Sequence, residues 1–236
     1  MKGEIRYGVL PIENSSTGGI TEVYDLVRRY GASIVGEKIV KVEHCLLAWP
    51  GAKLEDIREV YSHPQGFSQC RIFFKEHPAM RQFNYFNTAK AAELVAEKKT
   101  GYMAAVAGAQ AAEQYGLVIL AQGINTNQSN YTRFIVISRE RELVPEADKI
   151  TLIVSLKHQP GSLYRVLSHF ARYQINMTNI ESRPIPERTW EYYFHMDIIG
   201  QGLTDRRVRQ VLADLPEDTT ECKILGNYPA DHGKEQ

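Results

Sequence analysis

The chain has 236 residues, 43% of them hydrophobic and 24% charged, the profile of one large or two ordinary globular domains. Its 28 basic and 28 acidic side chains balance, which argues against non-specific nucleic-acid binding, since that needs a cationic excess. No apolar run approaches a membrane span, and the start Met1-Lys2-Gly3-Glu4-Ile5-Arg6 lacks the apolar core of a signal peptide, so a cytoplasmic protein with no membrane partner is expected.

In chain order, residues 7–12 read as a short apolar strand that ends in the polar turn Glu13-Asn14-Ser15-Ser16-Thr17-Gly18-Gly19. An amphipathic helix is expected over 21–30, with Val23, Leu26 and Val27 on one stripe and Thr21 as its cap. Strands follow at 34–42 and 45–49, and a further one ends at Tyr61-Ser62. Pro64 suits the first turn of a helix over 65–75, residues 83–86 form a strand, and Asn87 or Thr88 caps a helix over 89–98. Strand 102–106, helix 108–115, and strands 118–120 and 134–138 complete the block. Strand-helix alternation with short loops implies a mainly parallel sheet covered on both faces, with ligands gathered at the strand ends. The polar clusters after Ile12, Tyr61 and Phe86 fall at such ends.

Residues 140–148, charged and aperiodic, read as a linker between a first domain, 1–139, and a second, 149–228. The second block reads β-α-β-β-α-β: strand 150–157, helix 162–173 opened by Gly161, a hairpin of 177–183 with 190–199, helix 205–215 capped by Thr204, and strand 221–225. That order is a ferredoxin-like sandwich. The tail 229–236 is polar and expected to be mobile. Cys45, Cys70 and Cys222 show no CxxC spacing and the seven histidines form no HxxxH or HxH pair, so no metal and no cofactor are expected.

The motifs are similar to those of prephenate dehydratases followed by a regulatory ACT domain. Gly8-Val9-Leu10-Pro11-Ile12-Glu13-Asn14-Ser15 resembles the family's GVxPIENS signature, Ser62-His63-Pro64-Gln65 its SHPQ, and Asn130-Tyr131-Thr132-Arg133-Phe134 its N-x-TRF. Asn87-Thr88-Ala89-Lys90-Ala91-Ala92 resembles the family's polar-Thr-Ala helix start, with Asn where Ser is usual. Pro160-Gly161-Ser162-Leu163 resembles the GALV-type loop and Glu181-Ser182-Arg183-Pro184 the ESRP motif of the ACT part. Any one tetrapeptide is weak; six in order, over roughly 7–227, are strong. The family's leading strand, GPxGT-type loop and helix have no counterpart before residue 7. The resemblance therefore implies an α/β, two-lobed periplasmic-binding-protein-like catalytic domain, N-terminally truncated, then a ferredoxin-like βαββαβ ACT domain, with the activity of this exact polypeptide in question.

The resemblance implies conversion of prephenate to phenylpyruvate in phenylalanine biosynthesis, with loss of water and carbon dioxide. The departing hydroxyl needs a proton or a strong hydrogen bond, and the substrate carboxylates need cations or polar donors. By resemblance Thr132 serves the hydroxyl and Arg133 clamps a carboxylate, although Arg133 equally suits a cross-domain ion pair. Glu13, Asn14, Ser15, Ser62, His63, Gln65, Thr88 and Phe134 complete the expected substrate set, and His63 before Pro64 equally suits a structural cap. A phosphate loop and a Ser-His-Asp hydrolase are excluded for want of their motifs. The ACT resemblance implies that phenylalanine, bound at a dimer interface by Gly161, Ser162, Leu163, Asn176, Glu181, Ser182 and Arg183, lowers activity in a homodimer or homotetramer. Two alternatives stay open: an arogenate dehydratase, and a truncated, non-catalytic phenylalanine-binding regulator.

Overall fold

The computed structural model describes residues 5–232 except 143, 145 and 187; the expected linker positions 143 and 145 and the expected tail positions 233–236 lie outside the described residues. The chain packs as two compact units, one made of residues 1–40 with 132–236 and the other of residues 41–131.

Unit 1 begins with strand β1 (Tyr7–Asn14), the two-residue β2 (Gly18–Gly19), helix α1 (Thr21–Tyr30) and strand β3 (Ser33–Lys41). Val23, Tyr24 and Val27 form the buried stripe of α1, and Gly31 ends it in the left-handed region (φ 63°), its N–H returning to the Val27 carbonyl. The N-cap is Ile20, without a side-chain bond, so Thr21 is the first helical residue rather than the cap. The preceding backbone supplies what the missing cap would: Val23 N–H bonds the Ile20 carbonyl at 3.0 Å.

Unit 2 holds β4 (Cys45–Ala48), β5 (Glu59–Ser62), α2 (Pro64–Gln69), α3 (Arg71–Glu76), β6 (Arg81–Asn84), α4 (Thr88–Lys98), β7 (Met103–Ala107), α5 (Ala109–Tyr115) and β8 (Val118–Ala121). Its sheet runs β6-β5-β7-β4-β8, with the wholly buried CLLA and MAAVA segments at the centre. β5 is parallel to β6 and β7, but β4 is antiparallel to β7 and β8. The sheets are therefore mixed rather than mainly parallel; an apolar run reports burial on both faces and is silent on direction. The single helix expected over 65–75 is two, meeting at Cys70, which closes α2 and opens α3.

The chain re-enters unit 1 through β9 (Tyr131–Ser138), β10 (Lys149–Leu156), α6 (Ser162–Arg172), β11 (Asn176–Pro184), β12 (Tyr192–Ile199), α7 (Arg206–Asp214) and β13 (Thr219–Tyr228). The βαββαβ order matches the ferredoxin-like expectation, with Asp205, not Thr204, capping α7 by accepting from the Arg207 N–H. A carboxylate is the stronger acceptor at that end of a helix. All eight strands of unit 1 join one sheet, β11-β12-β10-β13-β3-β9-β1-β2. The joint is the parallel pair Gly226↔Ile34, where a Cβ at position 226 would overlap the Ile34 carbonyl oxygen. Glycine is what lets the two backbones meet.

The sheet folds back on itself. Arg133 on β9 and Asp197 on β12 are four strand spacings apart, roughly 19 Å in a flat sheet, yet their side chains are 2.8 Å apart. The fold encloses a core to which α1 gives Val23, Tyr24 and Val27, β1, β3 and β9 give Ile12, Ile34 and Ile135, and β10, β12 and β13 give Ile153, Tyr193, Leu225 and Tyr228. The opposite face of the ferredoxin-like part packs Leu152, Val154, Met196 and Ile198 against Val166, Phe170, Val208 and Val211 of α6 and α7.

Candidate functional site

The end of β1 meets the start of β9 in antiparallel register, Asn14 opposite Thr132 and Glu13 opposite Arg133, after an irregularity between Pro11 and Glu13. Bulges of this kind re-aim side chains at strand ends. The Asn14 amide oxygen accepts from the Ser16 N–H (3.0 Å), the Thr17 N–H (3.2 Å) and the Thr17 hydroxyl (3.3 Å). With its oxygen held by the turn, its Nδ2 donates to Thr132 Oγ1 at 3.0 Å. Among the described residues the Thr132 hydroxyl proton has no protein acceptor. A hydroxyl that accepts one bond becomes a better donor in the next. Phe134 lies half-buried opposite Pro11, and Ser15 is exposed at the turn.

Arg133 is the hub of a charged cluster that sequence reasoning foresaw only as an ion pair. Its Nε donates to Glu13 Oε2 at 3.0 Å, and Nη1 reaches Asp197 Oδ2 at 2.8 Å and Glu37 Oε2 at 3.3 Å. Nη2 lies 3.0 Å from Glu13 Oε2 but lacks hydrogen-bond alignment. Lys149 Nζ bonds both Glu37 oxygens, at 3.0 and 2.7 Å. Three carboxylates face two cations, leaving one net negative charge. The side chains of Glu37 and Asp197 are 1% exposed, whereas that of Glu13 is 40% exposed. The guanidinium therefore has a fixed inner side and an outer side covered by a displaceable carboxylate.

The surroundings tune these groups. Burial pushes the Asp197 carboxyl up, but Arg133, with His195, Lys149 and the Thr151 hydroxyl, holds it below the usual carboxylate value. Burial works against the Arg133 charge, and Asp197, Tyr228, Glu13 and Glu37 outweigh it, raising its pKa. Thr151 Oγ1 donates to Asp197 Oδ1 at 2.7 Å and sits 2.8 Å from the Tyr228 hydroxyl. His195, edge-on to Tyr24 with ring centres 4.6 Å apart, is fully buried, and neither ring nitrogen finds a hydrogen-bond partner among the described residues. Burial lowers its pKa to about 4, so it is neutral. Glu37, Lys149, His195 and Asp197 were missed from sequence; polar His195 and Asp197 alternating inside an otherwise apolar strand were the available signal.

In unit 2, Ser62 is fully buried and donates to the Val106 carbonyl at 2.9 Å, so the expected substrate donor is committed to the backbone. His63 caps α2, its Nδ1 accepting from the Gln65 N–H at 3.2 Å; Gln65 itself is exposed. A Cβ at Gly66 would stand 2.6 Å from Ser62 Oγ and 3.7 Å from Thr88 Cγ2, which places Ser62 and Thr88 on one patch. Thr88 opens α4 beneath Asn87, whose side chain accepts from the Lys90 N–H at 2.7 Å.

The expected effector set divides. Gly161, Ser162 and Leu163 line a cavity of about 280 Å³ with Lys157, Tyr192 and Phe194. Asn176, Glu181, Ser182 and Arg183 lie outside that lining, on β11, which pairs only with β12 among the described residues. Arg183 is held by Asp25 of α1 (2.7 and 3.2 Å), and the Tyr193 hydroxyl donates to the same carboxylate at 2.7 Å, an engagement within the chain that the motif did not foretell. Among the described residues no group of three or more His, Cys, Asp and Glu side chains is placed to hold a metal, and no helix is long and apolar enough to cross a membrane.

The prephenate dehydratase family model matches residues 1–142 and the ACT domain model residues 150–215. The chain belongs to the prephenate dehydratase family. It is 36% identical over 232 residues to the bifunctional chorismate mutase/prephenate dehydratase of Escherichia coli, covering 98% of this chain and 60% of that protein. It is 40% identical over 240 residues to arogenate dehydratase 1 of Petunia hybrida, covering 94% of this chain and 56% of that one. The chain thus spans about three fifths of the length of these curated relatives. Among solved structures, the prephenate dehydratase of Arthrobacter aurescens in complex with L-phenylalanine is 35% identical with a TM-score of 0.82, covering 96% of this chain and 76% of that one. A structure described as GqqA, a novel type of quorum quenching acylase, is 34% identical with a TM-score of 0.87, covering 98% of this chain and 84% of that one.

Proposed function

We propose that the chain is a decarboxylating dehydratase that converts prephenate to phenylpyruvate in phenylalanine biosynthesis. The observation that carries this reading is the Asn14–Thr132 hydrogen bond beside Arg133: a hydroxyl polarised from behind, whose proton has no acceptor among the described residues, next to a guanidinium with a displaceable partner. Thr132 donates to the departing hydroxyl, and a substrate carboxylate takes the place of Glu13 on the outer side of Arg133. The test is prephenate turnover by the purified chain, read as phenylpyruvate absorbance, with Thr132→Val reducing kcat by about 10²-fold or more. Undiminished turnover by a folded Thr132→Val protein would reject the assignment.

The Petunia relative supports a second substrate, arogenate, which differs by an amine where prephenate has a keto oxygen; comparing kcat/KM on the two decides between them. Acyl transfer is not favoured, because Thr132 is bonded to an amide rather than to a base that would activate it as a nucleophile.

The reading extends to regulation. Phenylalanine binds at the Gly161-Ser162-Leu163 cavity, whose mix of donors and aromatic walls suits a zwitterionic aromatic amino acid. Two copies pair through the β11 edge to give a homodimer or homotetramer, and the enzyme works in the cytoplasm, in keeping with three free cysteines. Calorimetry with phenylalanine tests the effector site, and light scattering of the eluted protein tests the pairing.

A further inference from the structure

Arg133 is expected to recognise a carboxylate, yet its guanidinium already meets three. These three are unequal. Glu13 covers Nε and Nη2 from a half-exposed position, while Asp197 and Glu37 hold Nη1 from full burial. A planar guanidinium grips a carboxylate bidentately only when its plane is fixed, and a flexible arginine side chain does not fix its own plane. The plane is set by whatever binds the far edge. The shortest contact there is Asp197 Oδ2, at 2.8 Å.

Asp197 is itself fixed. Its other oxygen accepts from Thr151, which is tied to Tyr228, and Lys149 stands 3.9 Å from Oδ2. It projects from β12, opposite Asn179 of β11, two positions before Glu181. The residue that aims the arginine thus belongs to the ferredoxin-like sheet, and the arginine to β9.

We propose that Asp197 is a positioning residue for the Arg133 clamp, orienting the guanidinium edge that receives a substrate carboxylate and making that orientation depend on the placement of β12. The inference rests on the dehydratase reading and deepens it. A clamp binds the carboxylate in the ground state and the transition state alike, so its misalignment raises KM more than it lowers kcat. A movement of β11 and β12 on effector binding would act on the same contact.

The experiment is steady-state kinetics on prephenate with the full chain, comparing wild type, Asp197→Asn and Thr151→Val. Asp197→Asn is expected to raise KM about tenfold or more while kcat falls less than about threefold. Thr151→Val keeps the carboxylate but removes its support, and is expected to raise KM by about two- to fivefold. Asp197→Glu is expected to recover part of the loss, which mere packing would not produce. If Asp197→Asn fails to fold, as judged by circular dichroism, Thr151→Val decides. An unmoved KM in the folded variants, or a fall confined to kcat, overturns the inference and leaves the dehydratase reading standing. A wild-type chain that turns over neither prephenate nor arogenate removes that reading, and the inference with it.

Discussion

Unit 1 gathers four charged side chains from four different strands around Arg133, whereas in unit 2 the side chains of Ser62, His63 and Asn87 bond within a few residues or to one backbone carbonyl. The first arrangement exists only when the whole sheet has folded back on itself. The second is written into two short strand-to-helix turns. A buried ion network is costly to break and sensitive to distant changes, while a neutral, locally satisfied turn tolerates substitution at about the value of each single bond.

The largest expected effect breaks the network at its hub. Arg133→Met leaves Asp197 and Glu37 buried with Lys149 as the remaining cation of the cluster and should destabilise the fold by about 3–5 kcal/mol in urea unfolding. If the loss is below about 1 kcal/mol, the contrast between the units is wrong, because that is the scale of an exposed pair such as Arg81–Glu59 in unit 2.

Next comes acid sensitivity. His195 has a folded pKa of about 4 against an ordinary 6.5, so the unfolded chain binds the proton first as pH falls. Stability is complete above about pH 6.5 and is lost progressively toward pH 4, by about 3 kcal/mol. Asp197, held below its usual value, adds a loss in the same direction at still lower pH, as its carboxylate is finally protonated. His195→Leu should flatten the upper part of this limb while leaving the lower part, and melting curves across pH 4–7 would show it.

Smaller effects belong to unit 2. Gly66→Ala forces a Cβ toward Ser62 Oγ and should cost about 1–3 kcal/mol, since one hydroxyl must give way. Asn87→Ala removes the α4 cap and should cost about 1 kcal/mol by thermal denaturation. A larger loss at either site would mean that this turn bears more of the fold than its neutral bonds suggest.

The same contrast explains what was legible in the sequence. The local turns were readable: Asn87 caps α4 and Pro64 opens α2, because each depends on residue types within one motif. Strand direction in unit 2 was not readable, since the apolar segments Cys45–Ala48 and Met103–Ala107 pattern alike whichever way they run. Nor was the network, because Glu37, Arg133, Lys149 and Asp197 are far apart along the chain and only the turned-back sheet brings them together. The break at Cys70 carried no glycine or proline to announce it.

Gly226 has a bearing on how the protein can be taken apart. Because the two halves of the unit 1 sheet touch there with no room for a side chain, the βαββαβ segment shares its inner wall, Ile153, Tyr193, Leu225 and Tyr228, with α1 and the strands around it. Expressed as a fragment, that segment would show this wall to solvent and tend to clump. Joined to the rest of unit 1, it should melt with it in a single calorimetric transition, so that the ACT part and the β1–β9 strand mouth stand or fall together.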